Sequence, residues 1–355
     1  MKPVLVIKDN RFTQHLEHVF HLENAKRVKA FQAVLKHPSL GGRWLEVVPR
    51  MAGPEELAWV HTPEHIQRVA QTAGKPLSSF DLDTQATAKS YDVARLAAGA
   101  VFSLLDAIKN NMAKRAFACI RPPGHHAEAD KAMGFCLFNN IALGARYLKE
   151  RYSVKKVMIV DIDLHHGNGT QSAFYDTDEV LFVSMHQFPC YPGTGKMGEV
   201  GAGRGRGFTV NVPLGKGYGD KDFARIIHQL IKPLAREYQP YIILVSCGFD
   251  LYMYDRLGDM QVTPEGYGLI TRLLLETAEE VCNGRIAFIL EGGYSVKGNT
   301  QCGLRVMQEL CDVSTLSAEK IEKVKGPSFF KFSELNKVIE IQKKYWKQLH
   351  YMSRV

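Results

Sequence analysis

The chain has 355 residues, of which 45% are hydrophobic and 23% are charged. This is the composition of an ordinary globular protein with a large core, and it excludes a disordered or collagen-like chain. The net charge of +8 would suit an acidic partner, but the lysines and arginines are spread along the sequence, so no specific nucleic-acid partner is expected. No stretch approaches the roughly 18 apolar residues of a membrane span, so no membrane partner is expected either.

The cysteines and the N-terminus bear on the compartment. The seven cysteines are an odd number, form no Cys-x-x-Cys pair, and in several cases lie inside apolar runs. This usage is typical of buried thiols in a reducing compartment. The N-terminus lacks the length and the cleavage site of a signal peptide. We therefore expect a cytoplasmic protein, whose oligomeric state the sequence leaves open.

Short apolar runs alternate with helical patterns along the chain. Strands are predicted at 4–7, 117–120, 157–160, 180–186, 209–214, 241–247 and 286–290, and helices at 28–34, from Pro63, from Tyr91 through Leu105, at 220–237 and at 264–282. Strands that alternate with helices, without repeats or a Pro- or Ser-rich linker, indicate one α/β domain over residues 1–355. Its central sheet is expected to be mainly parallel, with helices on both faces.

Carboxylates and imidazoles follow the apolar run 157–160 directly. The sequence there reads Asp161-Ile-Asp163-Leu-His165-His-Gly-Asn168-Gly169. In an extended backbone Asp163 and His165 project from the same face, and an oxygen that converges with a nitrogen suits a cation such as zinc. Catalytic zinc takes three protein ligands, so a third is needed. Taken alone, the motif is explained equally well by a hydrogen-bonded turn cap.

Three other predicted strands are also followed by side chains that can take part in catalysis, namely imidazoles, a carboxylate and a phenol. Two histidines, His125 and His126, follow the strand 117–120, Asp250 follows the strand 241–247, and Tyr294 follows the strand 286–290. In open α/β sheets ligands bind at the carboxyl ends of parallel strands. Four such strand ends together favour an active site over chance placement.

These motifs resemble the histone deacetylase family, which has the zinc-dependent arginase/deacetylase fold. The matching stretches are Arg121-Pro-Pro-Gly-His-His126, Gly134-Phe-Cys136, Asp161 to Gly169, Tyr191-Pro-Gly-Thr-Gly195, Gly248-Phe-Asp250 and Glu291-Gly-Gly-Tyr294. They occur in family order over about residues 15–310. Asn168 resembles the class II and bacterial branch, because class I members usually carry Asp at this position.

The resemblance implies two cation sites. One Zn²⁺ per chain would be held by Asp163, His165 and Asp250. A structural monovalent cation, typically K⁺, would lie beside it, held by Ser184 and by backbone oxygens of Asp161, Asp163, His165 and Met185.

The resemblance also implies the catalytic roles. His126 would be the general base that later protonates the leaving amine, and His125, paired with Asp161, its electrostatic partner. Asn168 would orient His126 without adding charge, which should leave the pKa of His126 lower than Asp would. Tyr294 would donate to the developing oxyanion, and it favours genuine deacetylase activity because relatives with His there are weak on acetyl-lysine.

The substrate-binding residues implied by the resemblance are Asp83, Gly134, Phe135, Tyr191 and Leu257. Phe135 and Tyr191 resemble the aromatic walls that enclose the methylenes of an acyl-lysine, and most relatives carry Phe in place of Tyr191. Asp83 resembles a loop aspartate that accepts hydrogen bonds from a peptide backbone, although a helix-flanking acid explains it equally well.

The expected function is therefore zinc-dependent removal of acetyl or other acyl groups from the ε-amine of lysine in proteins or peptides. An arginase is disfavoured, because Gly167 stands where its second metal needs an aspartate. An acetylpolyamine amidohydrolase, acting on small acetylated amines, stays open as the alternative. One polyamine-specific branch has Glu in place of Leu257, and Glu128 or Asp130 could supply the acidic gate instead. A non-enzymatic binding protein would be expected to lack a ligand or Tyr294.

Two further segments are open to interpretation. His21-x-Glu23-x-x-x-Arg27 resembles an element near the active-site rim of the family, and a simple helix entry explains it equally well. The lysine-rich segment from Lys320 onward is expected to end in a docking helix at about 332–349, anchored by Trp346.

Overall fold

The computed structural model describes residues 3–317, 319, 321–322 and 333–351. Eight strands form one parallel sheet with the order β2-β1-β5-β10-β9-β6-β7-β8. Its members are β1 (Val4–Ile7), β2 (Trp44–Glu46), β5 (Arg115–Ala118), β6 (Val157–Asp161), β7 (Val180–Gln187), β8 (Thr209–Leu214), β9 (Ile242–Cys247) and β10 (Ile286–Leu290). A separate antiparallel pair consists of β3 (Ser78–Ser79) and β4 (Gln85–Ala86). The α/β fold class predicted from the sequence is confirmed.

Helices surround the sheet. They are α1 (Lys26–Val34), α2 (Pro54–Leu57), α3 (Pro63–Ala70), α4 (Ser90–Lys109), α5 (Asn140–Tyr152), α6 (Asn168–Phe174), α7 (Asp220–Ile226), α8 (Lys232–Tyr238), α9 (Pro264–Cys282) and α10 (Val296–Leu310), followed by Ser333–Gln342 and Gln348–Tyr351. A π-helical turn, Ile227–Ile231, joins α7 to α8. Short 3-10 segments lie at Asn10–Gln14, Pro38–Leu40 and Gly203–Gly205.

Local sequence signals account for the limits of α9. Thr263 caps its first turn by accepting a hydrogen bond from the Gly266 N–H at 3.1 Å, and Pro264 takes the first helical position, where no N–H is needed. The helix ends at Asn283, which adopts the left-handed conformation with φ 54°.

The four central strands of the sheet carry the chemistry. β5, β10, β9 and β6 are neighbours in this order, and the motifs singled out in the sequence follow their carboxyl ends. All five residues of β6 are buried, as expected for a parallel strand covered on both faces. Asp161 at the end of β6 is in register with Ser184 of β7 and with Ser246 of β9. Residues far apart in sequence are thereby brought to one edge.

Some elements differ from the prediction. The strands β2, β3 and β4 were not predicted, because two or three residues give no periodic signal. The helices α2, α5, α6 and α10 were not predicted either. At the C-terminus, the predicted lysine-rich segment begins at Lys320 and the predicted docking helix at residue 332, and both of these positions lie outside the described residues. The range predicted as one docking helix contains two helices, separated by residues 343–347. In this interval the Trp346 indole N–H donates to the carbonyl of Gly207 at 2.9 Å, which attaches the interval to the rest of the domain.

The helices and the cysteines show two further properties of the described part of the chain. Among the described residues, no helix combines the length and the apolar character needed to cross a membrane. All seven cysteines are free thiols, and every one except Cys190 is buried.

Candidate active site

Three potential metal ligands converge at the carboxyl edge of the sheet. Asp163 and His165 follow β6, and Asp250 follows β9. Their ligand atoms all lie within 4.8 Å of one another, and the three residues are buried. His165 Nδ1 is 3.1 Å from Asp163 Oδ1 and 3.3 Å from Asp250 Oδ2. The third ligand that the sequence motif around Asp163 lacked is thus supplied by another strand.

The charges of this group fit a divalent cation. Asp250 Oδ2 is buried and accepts no hydrogen bond within the described part of the chain. Burial, together with the charge of Asp163, raises the pKa of Asp250 to about 7. Although burial alone would lower the pKa of His165, the nearby carboxylates raise it well above its usual value. Two buried carboxylates, one of them with an oxygen that accepts no hydrogen bond within the described part of the chain, form together with His165 a group that could hold a divalent metal ion.

Two motif glycines make room for the ligand group. A Cβ atom added at Gly248 would lie 2.2 Å from Asp163 Oδ2, and one added at Gly292 would lie 2.3 Å from Asp250 Oδ2. The Gly292 N–H also donates to Asp163 Oδ2 at 2.7 Å, and the Leu164 N–H donates to Asp250 Oδ1 at 2.9 Å. The glycines thus let the backbone approach the carboxylates and orient them.

The two histidines after β5 have different partners. His125 Nδ1 donates to Asp161 Oδ2 at 2.9 Å, whereas His126 Nδ1 lies 2.8 Å from Asn168 Oδ1. Burial opposes protonation of His125, but Asp161 and Asp163 raise its pKa to about 10. Burial, followed by the charges of His125 and His165, lowers the pKa of His126 well below its usual value. The pair therefore combines one charged and one neutral ring, with centroids 4.0 Å apart.

A buried carboxylate missed by the sequence reasoning positions this histidine loop. Glu291 Oε2 accepts hydrogen bonds from the N–H groups of Gly124 at 2.6 Å and His125 at 3.2 Å. Burial raises the pKa of Glu291 to about 7. Although Glu291 belongs to a quoted motif, its role involves backbone N–H groups of a distant loop, for which sequence spacing gives no signal.

The loop that carries Tyr294 is held from two sides. Asp255 Oδ2 accepts hydrogen bonds from the N–H groups of Tyr294 at 2.7 Å and Ser295 at 2.9 Å. On the other side, Arg27 Nε donates to the carbonyl of Gly293 at 2.6 Å, and its Cζ lies 5.1 Å from the centroid of the Tyr294 ring. Asp255 also accepts the Leu257 N–H at 3.1 Å, so one carboxylate organises two predicted site residues.

Arg27 belongs to a buried cluster of charges. Glu23 Oε1 accepts hydrogen bonds from Arg27 Nη1 at 2.8 Å and Arg121 Nε at 2.5 Å, and Glu23 Oε2 accepts one from Arg121 Nη2 at 2.7 Å. Burial opposes ionisation of Glu23, but the Arg121 and Arg27 guanidinium groups hold its pKa well below the usual range. The segment around Glu23 and Arg27 is therefore more than a helix entry, because it supports the Tyr294 loop.

A cavity of about 530 Å³ leads to the ligand group. It is lined by Phe20, His21, Leu22, Leu82, Asp83, His126, Gly134, Phe135, His165, Cys190, Tyr191, Leu257 and Tyr294. All five predicted substrate-binding residues are in this lining. Asp161, Asp163 and Asp250 are fully buried and are not part of this lining.

Aromatic rings form the walls of the cavity. The Phe135 ring packs edge-on against Tyr294 with centroids 5.6 Å apart, and the Tyr191 ring packs edge-on against His126 at 5.0 Å. Phe135 has φ 68°, a conformation that non-glycine residues rarely adopt. Such backbone strain is concentrated at functional sites, where the surrounding structure fixes one side-chain direction.

The mouth of the cavity is apolar. Phe20 and Leu82 are fully exposed, with relative accessibilities of 104% and 102%. The sequence reasoning missed both, because isolated apolar residues in loops carry no signal that distinguishes a rim from a core. Glu128 and Asp130, considered as an acidic gate, lie outside the cavity lining.

The hydroxyl hydrogen of Ser184 is donated to a neighbouring histidine. His186 Nε2 lies 2.9 Å from the carbonyl of Gly195, which can only accept, so this nitrogen carries a hydrogen. His186 Nδ1 then accepts from Ser184 Oγ at 2.9 Å. Because burial lowers the pKa of His186 well below its usual value, the ring is neutral. The Ser184 oxygen therefore keeps its lone pairs for another partner.

An eight-stranded parallel sheet, with this set of side chains along its carboxyl edge, defines the arginase/deacetylase fold. The Histone deacetylase domain family matches residues 21–310, which is most of the chain. The chain therefore belongs to the histone deacetylase family, and its enzymatic class is that of a deacetylase or amidohydrolase.

Similar proteins occur in archaea, bacteria and plants. A "Probable deacetylase" of Archaeoglobus fulgidus is 34% identical over 96% of this chain and 98% of its own length. A "Histone deacetylase-like amidohydrolase" of Pseudomonas aeruginosa is 35% identical over 82% of this chain and 77% of its own length. "Histone deacetylase 15" of Arabidopsis thaliana is 38% identical over 93% of this chain but only 59% of its own length. The crystal structure of the HDA15 HD domain superposes with a TM-score of 0.90 at 36% identity, covering 99% of this chain and 97% of that one.

Proposed function

We propose that the protein is a zinc-dependent amidohydrolase that removes acetyl or other acyl groups from the ε-amine of lysine in proteins or peptides. The observation that carries the proposal is the buried group of Asp163, His165 and Asp250 at the base of an apolar cavity whose walls include His126 and Tyr294. An extended acyl-lysine fits this shape, because its stem is apolar and its reactive amide is at the far end.

The three ligand residues would hold one Zn²⁺ per chain. Zinc supplies two effects to amide hydrolysis, since it polarises the carbonyl and lowers the pKa of a bound water from about 15.7 to about 7. The unsatisfied Asp250 Oδ2 supports a cation at this position. The same set of two carboxylates and one imidazole also accepts Fe²⁺ or Co²⁺.

His126 and His125 would divide the proton transfers. With His126 Nδ1 facing the Asn168 oxygen, Nε2 is the nitrogen free to accept a proton from the attacking water and to give it to the leaving amine. His125 donates to Asp161, and its positive charge would stabilise the negative charge that develops nearby. Asn168 orients the base, and Asp161 orients His125.

Tyr294 would donate its hydroxyl proton in a hydrogen bond to the developing oxyanion. Its ring is half-buried and lines the cavity, and the N–H groups of the loop are fixed by Asp255. A donor held in place before the reaction gives more stabilisation to the transition state than to the neutral amide.

The substrate stem would lie between Phe135 and Tyr191, with Gly134 and Leu257 completing the wall. Asp83 lines the same cavity, where its carboxylate would accept hydrogen bonds from the backbone of a peptide. The Tyr191 hydroxyl, in a side chain that is 38% exposed, would tune the choice of acyl group.

The alternative, an acetylpolyamine amidohydrolase, is less well supported. A cationic polyamine calls for acidic groups at the entrance, but the described lining offers only one carboxylate, that of Asp83. Leu257 is apolar, and Glu128 faces Asn168 at 2.6 Å. An apolar mouth suits a peptide better than a small polycation.

Two further assignments complete the proposal. Ser184, in register with Asp161, would bind a structural K⁺ with backbone oxygens of Asp161, Asp163, His165 and Met185, and its free lone pairs support this. The free cysteines support a reducing compartment, so we place the protein in the cytoplasm.

Metal removal tests the proposal. We expect purified protein to contain one zinc per chain and to lose acetyl-lysine hydrolysis on dialysis against a chelator, with recovery on adding Zn²⁺. Asp250→Asn should lower zinc affinity by at least about tenfold, because it removes a charged ligand. Asp178→Asn, at an exposed ion pair with Arg204, is the matched control and should retain the metal. Full activity without metal, or unchanged metal binding in Asp250→Asn, would refute the assignment.

A further inference from the structure

Glu128 makes a short contact with the residue that orients His126. Asn168 Nδ2 donates to Glu128 Oε1 at 2.6 Å. The same amide nitrogen has two longer contacts, with the His126 carbonyl at 3.3 Å and with Met133 Sδ at 3.4 Å. Glu128 is half-buried and lies outside the cavity lining. Its carboxylate is therefore the strongest acceptor at this amide and is not placed to touch a substrate.

This contact is the shortest of those that set which way the Asn168 amide faces, and the longer contact with the His126 carbonyl favours the same orientation. An ionised carboxylate can only accept, so the NH₂ group of Asn168 must face Glu128, and the amide oxygen must then face His126 Nδ1 at 2.8 Å. An amide oxygen also only accepts, which requires the hydrogen of a neutral His126 to be on Nδ1. The reverse amide orientation would place an N–H against Nδ1 and move the ring hydrogen to Nε2.

The backbone at Glu128 is itself held in place by the turn that leads into α3. Its carbonyl accepts a hydrogen bond from His61 Nδ1 at 2.9 Å, and the next carbonyl, that of Ala129, accepts the Thr62 N–H at 2.8 Å. Both partners lie 67 residues earlier in the chain. The loop after the histidine pair is thus fixed to a helix, so the position of the carboxylate is determined before substrate arrives.

We propose that Glu128 is a positioning residue that selects the tautomer of His126 through Asn168. The inference rests on the proposed function, in which the Nε2 of His126 must be free to accept a proton. The Glu128 carboxylate is joined to the His126 ring by two successive hydrogen bonds through the Asn168 amide. It can therefore fix the tautomer of His126 while only a neutral amide contacts the ring.

This relay of hydrogen bonds from Glu128 through Asn168 to His126 also explains why an amide, rather than a carboxylate, occupies position 168. An aspartate there would place two carboxylates at hydrogen-bonding distance in a half-buried site, where like charges repel. Asn168→Asp should therefore be harmful while Glu128 is present. A glutamine at 128 can donate its amide N–H, so Glu128→Gln should relieve the damage of Asn168→Asp.

The first test reads the tautomer directly and needs no activity. In ¹⁵N-histidine-labelled protein, long-range ¹H–¹⁵N spectra distinguish a ring with hydrogen on Nδ1 from one with hydrogen on Nε2, and His126→Gln identifies the His126 signals. We expect a single Nδ1–H form in the wild type and in Glu128→Gln, and a mixture of both forms in Glu128→Leu. Asp130→Asn, an exposed acid of the same loop, is the charge control and should match the wild type. A single Nδ1–H form in Glu128→Leu would overturn the proposal.

The second test uses turnover of an acetyl-lysine peptide by the zinc-loaded protein. Glu128→Leu should lower kcat about tenfold with KM within about twofold, because the base is affected and substrate contacts are not. The double variant Asn168→Asp/Glu128→Gln should turn over at least about fivefold faster than Asn168→Asp alone, as expected for coupled neighbours. A double variant no faster than Asn168→Asp would contradict the relay.

The two proposals can fail separately. If no acyl-lysine substrate is hydrolysed by the wild type, the proposed function is wrong, while the spectra still decide whether Glu128 selects the tautomer. If the wild type is active and Glu128→Leu keeps both its kcat and its tautomer, the role of Glu128 is wrong and the proposed function stands.

Discussion

At the scale of single residues, the hydroxyl of Tyr294 offers the sharpest test of catalysis. The ring lines the cavity, and it packs against Phe135 on one side and the Arg27 guanidinium on the other. Tyr294→Phe keeps these contacts and removes only the oxyanion donor. We expect kcat on acetyl-lysine peptides to fall by about 10² to 10³, with the melting temperature unchanged.

Tyr267→Phe is the matched control for this change. The Tyr267 hydroxyl is buried and has no hydrogen-bond partner within the described ranges. Its removal should leave kcat unchanged and stability equal or slightly higher, because an unsatisfied polar group is lost. Equal effects of the two substitutions would show that Tyr294 acts through packing and not through its hydroxyl.

Buried neutral histidines predict a loss of stability in mild acid. His61 Nδ1 donates to the Glu128 carbonyl at 2.9 Å, and its Nε2 accepts the Asn139 N–H at 2.9 Å, so protonation would break the second bond. Burial lowers the pKa of His61 to about 3. The unfolded histidine binds a proton near pH 6.5 and the folded one does not. This histidine's contribution to stability is thus complete above pH 6.5 and is lost as the pH falls, by about 1.4 kcal/mol per unit.

Urea unfolding between pH 7 and pH 5 measures this effect. His61→Asn should be less stable than the wild type at pH 7, and below pH 6 its stability should depend less steeply on pH, by about one proton. His15 and His166, whose pKa values burial lowers to about 3 and about 4, account for further pH dependence in both proteins. Identical slopes for the variant and the wild type would contradict the assignment to His61.

At the scale of elements, the cluster of Glu23, Arg27 and Arg121 joins α1 to the loops after β5 and β10. Glu23→Gln leaves two buried guanidinium groups without their carboxylate, so we expect a loss of about 3 to 5 kcal/mol in the free energy of unfolding. We also expect lower kcat, because Arg27 no longer fixes the carbonyl of Gly293. Denaturant unfolding and turnover measure the two effects.

An exposed ion pair provides the comparison for this prediction. Arg236 Nε contacts Glu280 Oε1 at the surface, with both side chains about 40% exposed. Glu280→Gln should change stability by less than about 1 kcal/mol. If Glu23→Gln also lowered the free energy of unfolding by less than about 1 kcal/mol, the buried cluster would not hold the loops together.

Most elements could be predicted from the sequence, for a physical reason. Buried parallel strands such as β6 are continuous apolar runs, and helices such as α9 carry a cap and a proline at their first turn. The strand β2 could not be predicted, because its stability comes from pairing with β1 and not from its own three residues. The break near Trp346 could not be predicted either, because this residue's indole N–H bonds to the carbonyl of Gly207, far away in sequence.

The site shows the same division. Asp163, His165, Asp250 and the histidine pair were predicted, because each follows a strand and belongs to a motif. Glu291, Asp255 and Glu128 were not assigned positioning roles, because they act on backbone groups or on another side chain. Nothing in a sequence indicates which distant group a carboxylate will meet.

At the scale of the whole molecule, the C-terminal segment covers the edge of the sheet. The helix Ser333–Gln342 lies against β8, where the Gln342 side chain donates to the carbonyl of Thr209 at 3.3 Å. Trp346 is 5% exposed and packs edge-on against Phe208 with centroids 5.2 Å apart. The segment thereby protects an edge strand that would otherwise invite pairing with another chain.

Trp346→Ala tests the importance of this cover. Removing the buried indole should lower the free energy of unfolding by about 3 to 5 kcal/mol and increase aggregation on heating. Lys347→Ala, next to it and exposed, should change stability by less than about 0.5 kcal/mol. Denaturant unfolding followed by light scattering would show the difference, and an unchanged midpoint for Trp346→Ala would mean that the segment does not stabilise the domain.

The most direct measurement compares three substrates of the zinc-loaded protein: an acetyl-lysine peptide, the same peptide with longer acyl groups, and an acetylated polyamine. We expect faster turnover of acyl-lysine peptides than of the polyamine, and we expect Tyr294→Phe to lose this turnover. Faster turnover of the polyamine would contradict the peptide assignment. No turnover of any of the three would contradict the catalytic role of the site.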